Sequence, residues 1–349
     1  MKSIKLIMFI LVFFFKTVNV LSDSTLFNVN NIEVSGNLSA NNQFFSNEAI
    51  KKGFKELLTK VLLEKDLNKL QNLDSKKVYD LVSYYQISDS TEDRILNKVT
   101  KKYNIFFDRE KVHNLFYNFG ISYSDIDQYE IYFLPIHKKN DQIFVYNQNY
   151  FYDKWNEIKN NDLIEFILPL EKIEILQNIH NYQDNLFNLD IKNIFKEYSK
   201  KTSVLIIIEE NSLGINKIFL KTNIMGKNIN KSFILNKTEK ESPNYYDDII
   251  TKVKSEIINL VKSQNLIDIR TPSFINIKYL IDKKNNLVEL NNRVKKINLI
   301  ENIYFLEINR KYVIIKIKYL GKINKIIDQL KDENILLELN NDQWSLKII

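Results

Sequence analysis

The chain has 349 residues, 44% of them hydrophobic and 12% aromatic, so its composition excludes an intrinsically disordered protein. It contains no cysteine, which excludes disulfides, thiol nucleophiles and thiolate metal sites. The formal net charge is +7, but the basic residues are nearly all Lys in an Asn- and Ile-rich chain. We interpret this bias as that of an AT-rich genome rather than as a nucleic-acid-binding charge.

The N-terminal segment, residues 1–22, has the form of a cleavable secretory signal peptide. Lys2 and Lys5 precede an unbroken apolar run at 6–15, and a small residue closes the segment. The alternative is an uncleaved membrane anchor, but Lys16 interrupts the run well short of the roughly 20 apolar residues that a spanning helix needs. We therefore predict export, and the absence of cysteine favours a bacterial periplasm.

The N-terminal third of the mature chain predicts a mixture of strands and helices from its hydrophobic spacing. The predicted elements are a strand at 25–34, a helix from Ser46 to 62, a helix at 78–85, a strand at 103–107 and a helix starting at Asp108 and ending at Gly120.

The middle of the chain predicts a second group of elements. These are strands at 129–135 and 142–146 around a turn at 137–141, a helix at 151–158, a strand at 163–168, a helix at 191–198, a strand at 204–209, a hairpin of 215–225 and 232–235, and a helix at 246–266. The apolar run at 204–209 is typical of a strand in the middle of a sheet.

Beyond a boundary at 270–272, the predicted order is β-α-β-β-α-β, which is that of a ferredoxin-like domain. The elements are 274–281, 287–297, 304–308, 312–319, 323–331 and a last strand at either 336–339 or 344–348. The predicted fold class is therefore α+β. The predicted organisation is a signal peptide (1–22), a mixed α/β region of one or two small sheets (23–269, with a sub-boundary near 120–130) and a ferredoxin-like domain (270–349).

Groups that could carry catalysis are few. His113, His137 and His180 are too far apart to place two metal ligands on one helical face, and the isolated glycines form no phosphate-binding loop. Glu209 and Glu210 follow the predicted central strand, where active-site residues of open sheets gather, but a solvated strand end explains them equally well. We therefore assign no catalytic residue, no metal and no cofactor, and we lean towards a protein that is not an enzyme.

Two groups of residues are candidate interaction surfaces. The first is the aromatic cluster that includes Tyr150 and Trp155, which could stack on a sugar or a base or could be the packing of a helix on a sheet. The second is the face of the C-terminal sheet that carries Tyr312, Ile314 and Lys316. RNA-recognition modules share that strand order, but their Gly-containing aromatic pattern is missing here, so we expect no nucleic acid as a partner.

The order of segments resembles that of a bacterial exported family known as domain of unknown function 2066, in its alphaproteobacterial form. The resemblance covers about residues 25–170 and lies in three places, which are 48–58, 119–124 leading into 131–136, and Trp155 followed by 163–170. Tyr150-Phe151 stands where the family often has a Pro-Trp pair. The family has no established activity, so the resemblance implies an exported envelope protein and no site residues.

These observations lead to three hypotheses. The first is a periplasmic, non-enzymatic binding or scaffolding protein whose partner is another envelope protein. The second is a glycan-binding or hydrolytic enzyme that uses Glu209, Glu210 and the aromatic cluster. The third is peripheral binding to a membrane surface through Lys-rich faces, without a transmembrane span after signal cleavage.

Overall fold

The structure is a computed structural model that describes residues 25–349 except 127–128, 159–162, 200, 212–214, 225, 237–244, 282–285 and 341. The predicted signal peptide lies outside the described residues. Helices make up 35% and strands 39% of the described residues, which confirms a mixed α+β protein. No helix in the described part of the chain is both long enough and apolar enough to cross a membrane.

The helices, numbered in chain order, are α1 (Asn42–Val61), α2 (Glu64–Leu67), α3 (Ser75–Asp80), α4 (Arg109–Phe119), α5 (Tyr150–Lys154), α6 (Ile173–Asn181), α7 (Ile191–Ile194), α8 (Tyr245–Gln264), α9 (Leu287–Val294) and α10 (Ile323–Asp332). The strands are β1 (Asn28–Asn37), β2 (Val82–Asp93), β3 (Lys98–Phe107), β4 (Tyr123–Ser124), β5 (Tyr129–Lys139), β6 (Gln142–Phe144), β7 (Ile164–Ile167), β8 (Ser203–Glu210), β9 (Ile215–Ile224), β10 (Lys227–Asn236), β11 (Leu266–Ile267), β12 (Ser273–Leu280), β13 (Ile300–Ile308), β14 (Tyr312–Tyr319), β15 (Ile335–Asn340) and β16 (Gln343–Ile348).

The chain divides into two compact units. The first unit contains the N-terminal residues up to Leu58, Lys69–Ser122 and Ile267–Ile349, and the second contains Thr59–Asn68 and Tyr123–Leu266. The described segments nearest to the two ends of the chain therefore belong to one unit, and most of the middle of the chain forms the other.

The N-terminal part of the first unit is an antiparallel sheet in the order β1-β3-β2 with α1 and α4. Gly53 lets α1 approach β3 closely, because a Cβ at that position would lie 2.6 Å from the Ile105 side chain. The Asp108 side chain accepts a hydrogen bond from the Lys111 amide and begins α4, and Gly120, with φ of 62°, ends it. Both ends of this helix are as the sequence predicts.

The predicted helix at 78–85 is wrong in its second half. The helix α3 ends at Asp80, and Val82 begins the long strand β2, which pairs along its length with β3. Nearly all β2 side chains are exposed on both faces of the sheet. The strand therefore carries no alternation of polar and apolar residues that would identify it.

The C-terminal part of the first unit is a five-stranded sheet in the order β13-β14-β12-β16-β15. The helices α9 and α10 bury Leu290, Val294, Ile326 and Leu330. Both segments that the sequence offered for the last strand form strands, and β16 lies beside β12 in the parallel direction. The sheet thus has one strand more than the predicted four.

The second unit is built on a sheet in the order β10-β9-β8-β5, whose central strands β5 and β8 are parallel. The outer edge of β5 pairs with β7 over its first residues and with β6 over its last. Pro135, which has no amide hydrogen to donate, lies between these two stretches. The side-chain amide of Asn149 spans this gap by donating to the carbonyls of Pro135 (2.9 Å) and Val145 (2.8 Å).

Helices cover both faces of this second sheet. One face packs against α5 and α8, and the other packs against α6 and α7. All residues from Ser203 to Ile208 are buried as a result, which agrees with the prediction of a central strand. The predicted turn at 137–141 is shorter in the structure, because β5 continues to Lys139 and a two-residue turn at Asn140 and Asp141, both with positive φ, leads into β6.

Candidate functional site

The open face of the C-terminal sheet is the surface of β12, β13 and β14 that points away from the buried side chains of those strands. Burial alternates strictly along β14, where Val313, Ile315 and Ile317 are buried. The residues that alternate with them, Tyr312, Ile314 and Lys316, point to the opposite face of the sheet. There they lie beside residues of the neighbouring strands β12 and β13. The main side chains of the open face are Phe274, Lys278, Tyr304, Tyr312, Ile314 and Lys316.

The aromatic and basic side chains of the open face are interleaved. The ammonium of Lys278 lies 4.6 Å from the centroid of the Tyr312 ring, and that of Lys316 lies 4.5 Å from the centroid of the Phe274 ring. These are favourable cation–π contacts. Neither lysine has a carboxylate partner in the described part of the chain, so both remain available to an external anion.

The charges at the margin of the open face are already paired. Lys318 forms a salt bridge of 2.7 Å with Glu301, and the Tyr312 hydroxyl donates to Glu307 at 2.9 Å. The pKa of Lys318 is raised because it hydrogen-bonds to Glu301. The unpaired positive charge is therefore concentrated at Lys278 and Lys316.

The structure brings the predicted Tyr312, Ile314 and Lys316 together on this face. The sequence reasoning did not single out Phe274 and Lys278, which belong to the same surface. The signal for them was present, because β12 alternates in the same way as β14, with Ile275, Ile277 and Tyr279 buried.

Trp155 was predicted as part of an interaction surface, whereas the structure places it in the core of the second unit. Its ring is fully buried and stacks on Phe133, with centroids 3.8 Å apart. The carbonyl groups of Trp155 and Ile158 each accept a hydrogen bond of 2.6 Å from the Lys254 ammonium. Burial lowers the pKa of Lys254 to about 8. These contacts hold α5 against α8 and leave the Trp155 ring inaccessible to a ligand.

Tyr150 lies closer to the surface than Trp155. Its hydroxyl donates to Asp247 at 2.7 Å, and this hydrogen bond to the carboxylate raises the pKa of Tyr150 to about 12. Its ring lies 5.3 Å from that of Tyr246. The two residues predicted as one aromatic surface therefore have different environments.

Glu210 is the centre of a polar cluster at the carboxyl ends of the parallel strands β5 and β8. One of its carboxylate oxygens lies 2.7 Å from the Tyr246 hydroxyl and 3.2 Å from His137 Nε2, and the other lies 3.1 Å from Lys139 Nζ. His137 and Lys139 come from β5, and Tyr246 comes from the first turn of α8. Sequence reasoning placed His137 in a turn and missed this cluster.

The charge states in the cluster follow from burial and from these contacts. Burial alone would raise the pKa of Glu210, but the hydrogen bonds from Tyr246 and Lys139 hold it below its usual value. Burial lowers the pKa of His137 more than Glu210 raises it. The ionised Glu210 contacts His137 and Lys139 of β5 and Tyr246 of α8, so the cluster joins β5, β8 and α8. Glu209 is partly buried and has no ion-pair partner among the residues that the structure describes.

The remaining histidines give no metal site. His113 is buried in α4 with its ring edge-on to Phe27, and burial lowers its pKa to about 4. His180 lies in α6, a helix that the sequence analysis did not predict. Within the described ranges no group of His, Asp and Glu side chains could hold a metal ion.

Comparison with known proteins gives no family for the chain. Neither a protein-family model nor a curated protein matches it. Among solved structures it is similar to one entitled "Crystal structure of uncharacterized protein", at 11% identity over 39% of this chain and 87% of the other, with a TM-score of 0.15. A score this low carries no argument, so the function must be inferred from the chain itself.

Proposed function

We propose that this chain is a non-enzymatic binding protein of the bacterial periplasm that docks a segment of another envelope protein on the open face of its C-terminal sheet. The observation that carries the proposal is the pair of lysines, Lys278 and Lys316, which lie over aromatic rings and have no carboxylate partner among the residues that the structure describes. We further infer that this sheet is a ferredoxin-like domain extended by one strand, in which β16 takes the position beside β12.

The chemistry of the open face defines its partner. Phe274 is 51% exposed, Leu280 54% and Tyr304 44%, so the face offers apolar area as well as charge. These side chains lie on one face of the sheet, and exposed apolar area gathered on one face is typical of interaction sites. A segment with Asp or Glu beside apolar residues matches both features, because its carboxylates pair with the two lysines while its apolar side chains cover the rings.

The proposed location rests on the N-terminal segment and on the absence of cysteine. Expression of the full chain in its native host, followed by fractionation, should place the protein in the periplasm with a mature N-terminus at Asp23. Recovery of the intact N-terminus in the cytoplasm would overturn the location without affecting the open face.

A crosslinking experiment tests the binding surface. A photoreactive residue in place of Asn276, which is exposed at the centre of the open face, should crosslink in living cells to a segment rich in carboxylates and apolar residues. Lys278→Glu combined with Lys316→Glu should reduce the crosslink at least tenfold. The matched control is Lys295→Glu combined with Lys331→Glu, which makes the same charge change at an exposed residue just after α9 and an exposed residue of α10. This control should leave the crosslink intact.

Two results would overturn the proposal. One is a crosslink that survives the open-face substitutions. The other is the absence of a protein crosslink together with salt-sensitive binding of the purified chain to anionic phospholipid vesicles, which would indicate a membrane surface instead.

A further inference from the structure

A groove of about 660 Å³ lies in the first unit, between the N-terminal half of α1, the helix α3 and the start of β2. Small-molecule sites have volumes of roughly 300–1,000 Å³, so this groove is large enough for a ligand with more than one ring. Ile50 is buried at its base, and the other lining side chains are mostly polar or aromatic. The groove belongs to a different part of the molecule from the open face.

Two tyrosines supply flat surfaces in the groove. Tyr79 is 48% exposed and Tyr85 is 38% exposed. The Tyr85 ring leans on the buried Tyr103, with centroids 6.0 Å apart, and this contact supports its position. Such rings present an apolar face and a hydroxyl to the same ligand.

Side-chain amides supply the polar contacts. Gln43 and Asn47 line the groove from α1, and neither side-chain amide makes a hydrogen bond within the part of the chain that the structure describes. An amide both donates and accepts, which suits neighbouring hydroxyl groups on a ligand. The helix that carries them is fixed by buried Phe45, Ala49 and Ile50, so the groove is preformed.

The charges of the groove nearly cancel. Lys51 is paired with Glu48 at 3.0 Å, and the remaining charged residues of the lining, Lys76 and Asp80, have opposite signs. A site for phosphate or another strong anion would instead concentrate Arg or Lys. Balanced charge, free amides and flat phenol rings together match the hydroxyls and the apolar ring faces of a sugar. We propose that this groove binds a neutral oligosaccharide.

The test is a titration of the mature chain with three neutral trisaccharides, maltotriose, cellotriose and tri-N-acetylchitotriose. Amide chemical shifts locate the binding site, and calorimetry gives the affinity. We expect at least one trisaccharide to bind and to shift amides of α1 and α3. Tyr79→Ala and Asn47→Ala should each weaken that binding at least tenfold, whereas Tyr79→Phe, which keeps the ring, should weaken it less.

The control variant is Tyr117→Ala, which removes another exposed tyrosine of the same unit, at 56% exposure and outside the groove. It should leave the affinity unchanged. Because Tyr79 is exposed, the thermal midpoint of Tyr79→Ala should stay close to that of the parent chain. This measurement separates a loss of binding from a loss of folding.

The inference fails if no trisaccharide, at a concentration of about 10 mM, shifts any amide resonance. That concentration is ten times a weak Kd of about 1 mM, so a weakly bound trisaccharide would still occupy most of the sites. It also fails if Tyr79→Ala and Asn47→Ala leave the binding unchanged, because the site would then lie elsewhere. Binding of glucose 6-phosphate in the groove without binding of the neutral sugars would overturn the ligand class.

Discussion

The aromatic cluster around Trp155 in the second unit and the aromatic residues of the open face have different surroundings. In the second unit, Trp155 is fully buried and stacked on Phe133, whereas Phe274 and Tyr304 of the C-terminal sheet are about half exposed. The difference follows from the layers, because helices cover both faces of the second unit's sheet and the C-terminal sheet has one open face. An aromatic cluster therefore indicates a binding surface only where a layer is missing.

The charged groups differ in the same way. Glu210 in the second unit has three hydrogen-bond partners, and Lys254 has two carbonyl partners. On the open face, the ammonium groups of Lys278 and Lys316 lie over aromatic rings and have no carboxylate partner among the described residues. Groups whose partners are internal contribute to stability, and groups without them are available for binding.

The largest expected effect is that of Trp155→Ala. The substitution empties a buried site between α5 and the sheet, and removing a buried aromatic side chain costs about 3–5 kcal/mol. Denaturant unfolding should show a loss of that size in the free energy of unfolding. Tyr304→Ala, on the open face, should change it by less than about 1 kcal/mol. Equal losses for the two variants would contradict the comparison of the units.

The second largest expected effect is the loss of stability when the polar cluster around Glu210 is disrupted. Glu210→Ala leaves Tyr246, His137 and Lys139 without their shared acceptor, and an unsatisfied buried partner costs about 1–3 kcal/mol. The neighbouring Glu209→Ala is the control and should stay within about 0.5 kcal/mol of the parent chain, because Glu209 has no ion-pair partner among the described residues. If both substitutions leave stability unchanged and Glu210→Ala abolishes an activity, the cluster is a catalytic site rather than a structural one.

The parts of the fold that sequence predicted correctly are those with a clear local period. The ends of α4 follow from the Asp108 cap and from Gly120, and the central position of β8 follows from its apolar run. The alternation in β14 was enough to place Tyr312, Ile314 and Lys316 on one face. Each of these signals lies within a few residues of the feature that it predicts.

The features that sequence missed depend on contacts between distant residues. The strand β2 forms because β3 offers it a backbone ladder, although its own exposed side chains carry no period. The position of β16 beside β12 is a pairing across more than sixty residues that no local pattern contains. The burial of Trp155 depends on β5 and α8, so the same aromatic cluster could be read as a surface or as a core.

The third prediction concerns pH and the buried lysines. The pKa of Lys254 is about 8 in the folded protein and 10.5 is its ordinary value. Between pH 8 and 10.5 the Lys254 side chain is protonated more fully in the unfolded chain than in the folded protein, so the free energy of unfolding should rise with pH. We expect this residue to contribute a rise on the order of 1–2 kcal/mol between pH 8 and 10.

The matched measurement is the pH dependence of unfolding for Lys254→Met. This variant should keep the similar contribution of Lys262, whose pKa burial also lowers to about 8, and lose that of Lys254. The measurement stops at pH 10 because burial raises the pKa of Tyr146 to about 12. Above pH 10 the tyrosine of the unfolded chain loses its proton before the folded Tyr146 does, so this residue makes the free energy of unfolding fall with pH. Identical slopes for the two proteins would mean that the Lys254 ammonium is not desolvated.

The smallest expected effect on stability is on the open face itself. Lys278→Gln and Lys316→Gln each remove a cation from an aromatic ring that stays partly solvated, and such surface changes are worth about 0.5 kcal/mol or less. Thermal unfolding of the double variant should therefore nearly coincide with that of the parent chain, while crosslinking through position 276 is reduced. A large loss of stability would instead show that the lysines hold the sheet together. The open face would then resemble the interior of the second unit, where charged groups have internal partners, and it would no longer be a docking surface.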